Sequence, residues 1–178
     1  QVESIAHHLQ AAFVDIGEER SGYLSLPDAR PYEATKGDSI GDYVIEGDAV
    51  LVQVTRDPED NKGAKLTMKP VLTGRDLIYT PNRPGISLSR RIKDKTERDR
   101  LSKVIAGRDT SRGGLILRTA AQEAEAEDLI READRLEANW ADICEAFAAA
   151  RAPKMLQQEA ETALRIIRDQ GGAELNAV

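Results

Sequence analysis

Arg118 and Thr119 stand side by side at the end of the apolar run Leu115-Ile116-Leu117. A guanidinium fork beside a short hydroxyl suits one target above others, a doubly charged terminal phosphate. Taken alone, however, the pair reads first as an arginine that ends an edge strand, and only its surrounding motif favours the phosphate. Phe13 and Tyr23 are a second such pair. They lie on two short apolar runs separated by a polar turn, in a chain that is only 4% aromatic. Exposed rings on adjacent strands can stack the bases of single-stranded RNA. By pattern alone, Phe13 reads equally well as core.

Charge is distributed unevenly around these residues. The 178-residue chain has a net charge of −6, which on average disfavours a nucleic-acid partner. Between Arg83 and Arg112, however, ten basic residues face four acidic ones, a local +6 against −12 elsewhere. Such a run is either a solvated face or an electrostatic footprint for phosphates. Several other chemistries find little support. Cys144 is the only cysteine, so no intrachain disulfide or cysteine zinc site is expected. His7 and His8 are adjacent and lack a third ligand, so no metal site is expected there. The acidic pairs Asp57/Asp60 and Glu123/Glu127 fall in a polar turn and on a solvated helix face, not in the apolar strands expected of a metal-dependent nuclease. No apolar run reaches the roughly 18 to 20 residues of a membrane span, and the opening residues lack the features of a signal peptide. The expected location is the cytoplasm, with no membrane partner.

The elements that must position these residues follow from the hydrophobic pattern. Residues 11–17 and 22–26 read as a hairpin, 27–43 as a loop, and 44–54 as a strand with Val50, Val52 and Val54 on one face. A polar turn at 56–63 precedes a strand that starts at Ala64. Short strands separated by polar turns describe a small barrel of the OB type. Its first strand is expected to be absent or cut to the stretch 2–5. From Gly74 the pattern changes. Strands are expected at 77–79, 86–89 and 113–119, and a charged helix at 95–106 with Leu101, Val104 and Ile105 inward. A long helix over 122–150 carries Leu129, Ala133, Leu136, Trp140, Ile143 and Phe147 as one buried stripe. Pro153 ends it. A last amphipathic segment is expected over 160–167. The expected fold class is therefore α+β, a small barrel followed by an α+β unit with a long helix.

Five segments in register resemble the ribonuclease E/G family. Phe13-Val14-Asp15-Ile16-Gly17 with Glu19-Arg20-Ser21-Gly22-Tyr23-Leu24 is similar to its A-F-V-D-x-G-x-E-R-x-G-F-L stretch. Asn61-Lys62-Gly63-Ala64-Lys65-Leu66-Thr67 is similar to N-K-G-A-x-L-T, Ser89-Arg90-Arg91-Ile92 to S-R-R/K-I, and Gly114 to Ala120 to G-x-I-x-R-T-A. Order and spacing agree from residue 2 to residue 169. The chain departs from the pattern at Ile16, where many relatives have tyrosine, and at Tyr23, where they have phenylalanine.

The resemblance implies an OB-fold RNA-binding domain over 1–73, a 5′-phosphate sensor domain over 74–155, and at 156–178 a tail or the start of a ribonuclease-H-like segment. It implies RNA contacts from Phe13, Tyr23 and Lys62, and a 5′-monophosphate pocket made by Arg118 and Thr119 with backbone near Gly74 and Ile78. The implied partner is single-stranded RNA with a 5′-monophosphate, and homo-oligomers are expected only of a full-length protein. Catalytic aspartates with Mg and a cysteine-linked Zn are implied for domains outside this chain, which is expected to bind without cutting. Two alternatives stand beside this: a stand-alone RNA-binding or regulatory protein without nuclease activity, and an interaction module that uses the long acidic helix.

Overall fold

A computed structural model describes residues 1–34, 38–59 and 61–158. Asp60 and the amphipathic segment expected over 160–167 lie outside the described residues. The chain is mixed α+β, as expected, with two sheets and three α-helices among the described residues. It divides into two compact units. One holds Gln1–Pro70, Pro81–Arg83 and Asp142–Leu156; the other holds Val71–Thr80 and Pro84–Ala141.

The first unit is built on five strands: β1 (Val2–Ala6), β2 (Ala11–Val14), β3 (Gly22–Ser25), β4 (Gln53–Arg56) and β5 (Lys65–Thr67). Their order is β1-β2-β3-β5-β4, and only the β3–β5 pair is parallel. The ladder does not close; β1 and β4 are its two edges. The opening strand, expected to be absent or a stub, is a five-residue strand antiparallel to β2. The core beneath the sheet gathers Val2, Ala12, Val14, Leu24, Ala29, Ile40, Val44, Ala64 and Leu66. Alternation along β2 and β3 puts Ala12, Val14 and Leu24 inward, which sends Phe13 and Tyr23 to the other face.

Two expectations for this unit need correction. The stretch 27–43 is not all loop, because a short helix α1 (Leu26–Ala29) begins with Pro27 preset for its first turn. A one-turn 3-10 segment, Ile40–Asp42, is closed by Ser39 and Asp42 and buries Ile40. Nor does 44–54 form one strand. At Gly47 the chain turns back, with Gly47 N donating to Val2 O (2.9 Å) and Val2 N donating to Asp48 O (2.9 Å). Val50 and Val52 therefore pack on the core without joining a ladder, and pairing begins only at Gln53. Apolar alternation alone does not separate these two outcomes.

The second unit has a four-stranded sheet of β6 (Leu72–Thr73), β7 (Leu77–Thr80), β8 (Ile86–Leu88) and β9 (Gly114–Leu117), in the order β6-β7-β9-β8. Helix α2 (Lys95–Ile105) is capped by Asp94, whose side chain accepts from Glu97 N (3.0 Å), and it buries Leu101 and Ile105. Residues 119–123 form a 3-10 turn, so the long helix α3 starts later than expected and runs Ala126–Ala149. Of its apolar stripe, Leu129, Ala133 and Leu136 are buried, while Trp140, Ile143 and Phe147 are half-buried. Glu132, set among the buried members, is only 8% exposed.

Candidate nucleic-acid interface

On the sheet of the first unit, Phe13 and Tyr23 are direct partners across β2 and β3. Their ring centroids are 6.0 Å apart and their planes meet at 64°, an edge-to-face contact. Both are half-buried. The register continues the same rung sideways: Ser4 opposes Phe13, Lys65 opposes Tyr23, and Arg56 opposes Lys65. One rung thus carries a hydroxyl, two rings and two cations. Lys65 Nζ lies 3.3 Å from Asp28 Oδ2 and stays about half exposed. Lys62 is exposed on the turn where Glu59 and Lys62 exchange backbone hydrogen bonds. The next residue fixes that turn against the hairpin, since a Cβ on Gly63 would come within 1.9 Å of Ser21 O. Tyr23 N then donates to Ala64 O (2.8 Å).

In the second unit, Arg118 follows β9 directly. Its backbone N donates to Asp76 O (2.8 Å), and its Nη1 donates to Gly74 O (2.7 Å) and Arg75 O (3.0 Å). Thr119 is exposed, with Oγ1 3.3 Å from Ser89 Oγ. That contact brings the exposed Arg90 and Arg91 next to the strand end, with Ser89 N held by Leu117 O (2.8 Å). Ile78 is half-buried between Thr73 and Ile116. Gly74 is buried, and its N–H closes the turn onto Leu77 O (2.8 Å).

The residue that sequence reasoning missed here is Glu132. Its carboxylate accepts from three successive amides, Arg75 N (2.6 Å), Asp76 N (2.9 Å) and Leu77 N (3.0 Å). A Cβ on Gly74 would lie 2.3 Å from Glu132 Oε1, so any larger residue there would have to displace the carboxylate. The amides of the turn therefore face the helix carboxylate, and its carbonyls face Arg118. A signal was present in the sequence: Glu132 stands three residues after Leu129 and four before Leu136, inside the apolar stripe. Asp76, also buried, has its carboxyl pushed up by burial and then by the charge of Glu132, while Arg75 and Arg118 pull it back.

The basic run separates by use. Arg100 chelates Glu97 (2.7 and 2.8 Å), Arg108 pairs with Asp134 and Glu137, and Arg98 donates to the carbonyls of Ser89 and Ile92. Arg90, Arg91, Lys93, Lys95, Lys103 and Arg112 are exposed. No group of three or more His, Cys, Asp or Glu side chains gathers among the described residues in a way that could hold a metal ion. Among them, too, no helix is long and apolar enough to cross a membrane.

A sequence model of the Ribonuclease E/G family matches residues 71–178, beginning where the second unit begins. The chain belongs to the ribonuclease E/G family. It is 34% identical over 187 residues to "Ribonuclease G" of Salmonella typhimurium (strain SL1344) and 33% identical over the same length to "Ribonuclease G" of Escherichia coli (strain K12). Both alignments cover all of this chain and 38% of the relative. "Ribonuclease E" of Nostoc sp. (strain PCC 7120) is 33% identical over 179 residues, covering 99% of this chain and 26% of the relative. This ribonuclease E/G-family chain thus spans between about a quarter and little more than a third of the length of the curated relatives it matches.

Proposed function

We propose that this chain is the RNA-gripping part of a ribonuclease E/G-type endoribonuclease, with an OB-type RNA-binding unit and a 5′-monophosphate sensor. The observation that carries the reading is the Phe13–Tyr23 rung, two half-exposed rings flanked in register by Lys65 and Arg56. Rings take base faces and cations take the phosphates between them, which is how single strands are held without base-specific hydrogen bonds. Lys62, on its anchored turn, adds a point charge beside the same hairpin.

The sensor reading is supported by the Arg118–Thr119 strand end, with Ser89, Arg90 and Arg91 drawn alongside it. Gly74 supports the pocket through its carbonyl, which holds Arg118, rather than by offering an N–H. Hydrolysis of RNA, with Mg and Zn, belongs in this proposal to other segments of a longer protein, and this chain binds without turnover.

Fluorescence anisotropy tests both parts with one short single-stranded RNA, prepared with a 5′-monophosphate and with a 5′-hydroxyl. Binding of both, with a preference for the monophosphate, is the expected result. Equal binding would remove the sensor, and no binding would remove the RNA-gripping role altogether.

A further inference from the structure

Three consecutive peptide groups, Gly74–Arg75, Arg75–Asp76 and Asp76–Leu77, share one arrangement. Each donates its N–H to the Glu132 carboxylate. Each offers its C=O to Arg118, the first two to Nη1 and the third to the backbone N. Because N–H and C=O point to opposite sides of a planar peptide, fixing one fixes the other. Glu132 is 8% exposed, and a carboxylate that deep is tolerated only when its lone pairs are satisfied. Three amides satisfy it, and the turn becomes an anion nest filled from within the protein. Hydrogen bonds linked through peptide groups also polarise one another.

We propose that Glu132 is the positioning residue of the phosphate pocket, orienting the 74–77 turn so that its carbonyls hold the Arg118 guanidinium in place. The proposal rests on the sensor reading above. It also accounts for Gly74 itself, whose missing Cβ is what lets the carboxylate reach the turn. Other charges near the carboxylate include Arg135, 3.6 Å away and largely exposed, and Asp76 on the turn, which itself feels Arg75 and Asp128. None of these makes the threefold backbone contact. A glutamine would keep the shape of Glu132 but present an NH₂ to donors that need an acceptor.

The test compares RNA with a 5′-monophosphate and with a 5′-hydroxyl on the whole chain, in wild type, Glu132→Gln, Glu132→Asp and Leu136→Ala. Glu132→Gln should cut the monophosphate preference by roughly tenfold or more, with 5′-hydroxyl affinity changed by less than about twofold. Glu132→Asp, which keeps the charge, should restore part of the preference. Leu136→Ala, a core change on the same helix, should lower the melting temperature and leave the preference intact. Should Glu132→Gln fail to fold, Glu132→Asp decides: a reduced preference in a folded variant upholds the proposal, and an unchanged one overturns it. A wild type without preference overturns the sensor reading and this proposal together. A wild-type preference that survives in folded Glu132→Gln overturns this proposal alone.

Discussion

Glu132 and Arg118 grip the same three peptide groups from opposite sides, the carboxylate at their N–H groups and the arginine at their carbonyls. Arg118 therefore has structural work in addition to its proposed ligand role. Arg118→Leu should lower the stability of the second unit and also reduce the preference for a 5′-monophosphate by roughly ten- to a hundredfold, since a hydrogen bond to a charged group is worth ~1.5–3 kcal/mol. Thr119→Val should reduce the preference less and leave stability unchanged, because Thr119 is exposed. Thermal melts alongside anisotropy separate the two effects. An Arg118→Leu protein with wild-type preference would show that the guanidinium serves only the turn.

Gly74→Ala should be costly although it adds one carbon. The new Cβ meets the Glu132 carboxylate, a group held on three amides rather than a loose chain end. Breaking that contact leaves buried donors unpaired, at about 1–3 kcal/mol. Urea unfolding should show a lower midpoint with an unchanged slope; a midpoint equal to wild type would mean the turn absorbs the methyl.

Phe13→Ala and Tyr23→Ala should each weaken single-stranded RNA binding by ~1–3 kcal/mol while the fold persists, since both rings sit on the face away from the core. Circular dichroism with RNA titration is the check. An unfolded Phe13 variant would assign that ring to packing instead.

Affinity for RNA should fall linearly with salt on logarithmic axes, with a slope near −0.7 per phosphate neutralised. Lys62→Ala should make the slope shallower by about 0.7. A slope near zero in wild type would exclude Lys62, Lys65, Arg56 and the exposed arginines from the RNA path.

Asp76 makes a pH prediction. Burial and the charge of Glu132 raise its carboxyl pKa in the folded chain, so folding favours its protonated form. The resulting stability is fully present below the unfolded value, about pH 4, and is lost as pH rises through the higher folded value. Asp76→Asn should therefore melt higher than wild type at neutral pH, and the difference should vanish below about pH 4. Melting curves that stay parallel across this range would refute the assignment.

How much of this was legible in the sequence depended on whether the cause was local. The β2–β3 hairpin could be read because Ala12, Val14 and Leu24 alternate with Phe13 and Tyr23 between glycine-bounded ends. Helix α3 could be read from its 4-3-4 spacing. The 44–54 stretch could not, because Val50 and Val52 alternate as a strand would, while the turn at Gly47 answers to Val2, far away in sequence. Glu132 was hidden for the same reason. Acids on helices are ordinarily solvated, and its three donors come from a turn more than fifty residues upstream. The Arg118–Thr119 pair stood out as chemistry, but the second use of the arginine, holding that turn, is a tertiary fact.

The five strands of the first sheet carry Phe13 and Tyr23 and no other ring. A platform one rung deep has space for a base or two, and every base offers it a similar face. Apart from a 5′-terminal phosphate at the proposed sensor, nucleotides outside that footprint would be retained by their charge, which is the same for all four letters. On the proposed reading, then, the protein measures an RNA more than it reads it. Scrambled sequences of equal length should compete almost equally, while shortening the strand should weaken binding whatever its composition.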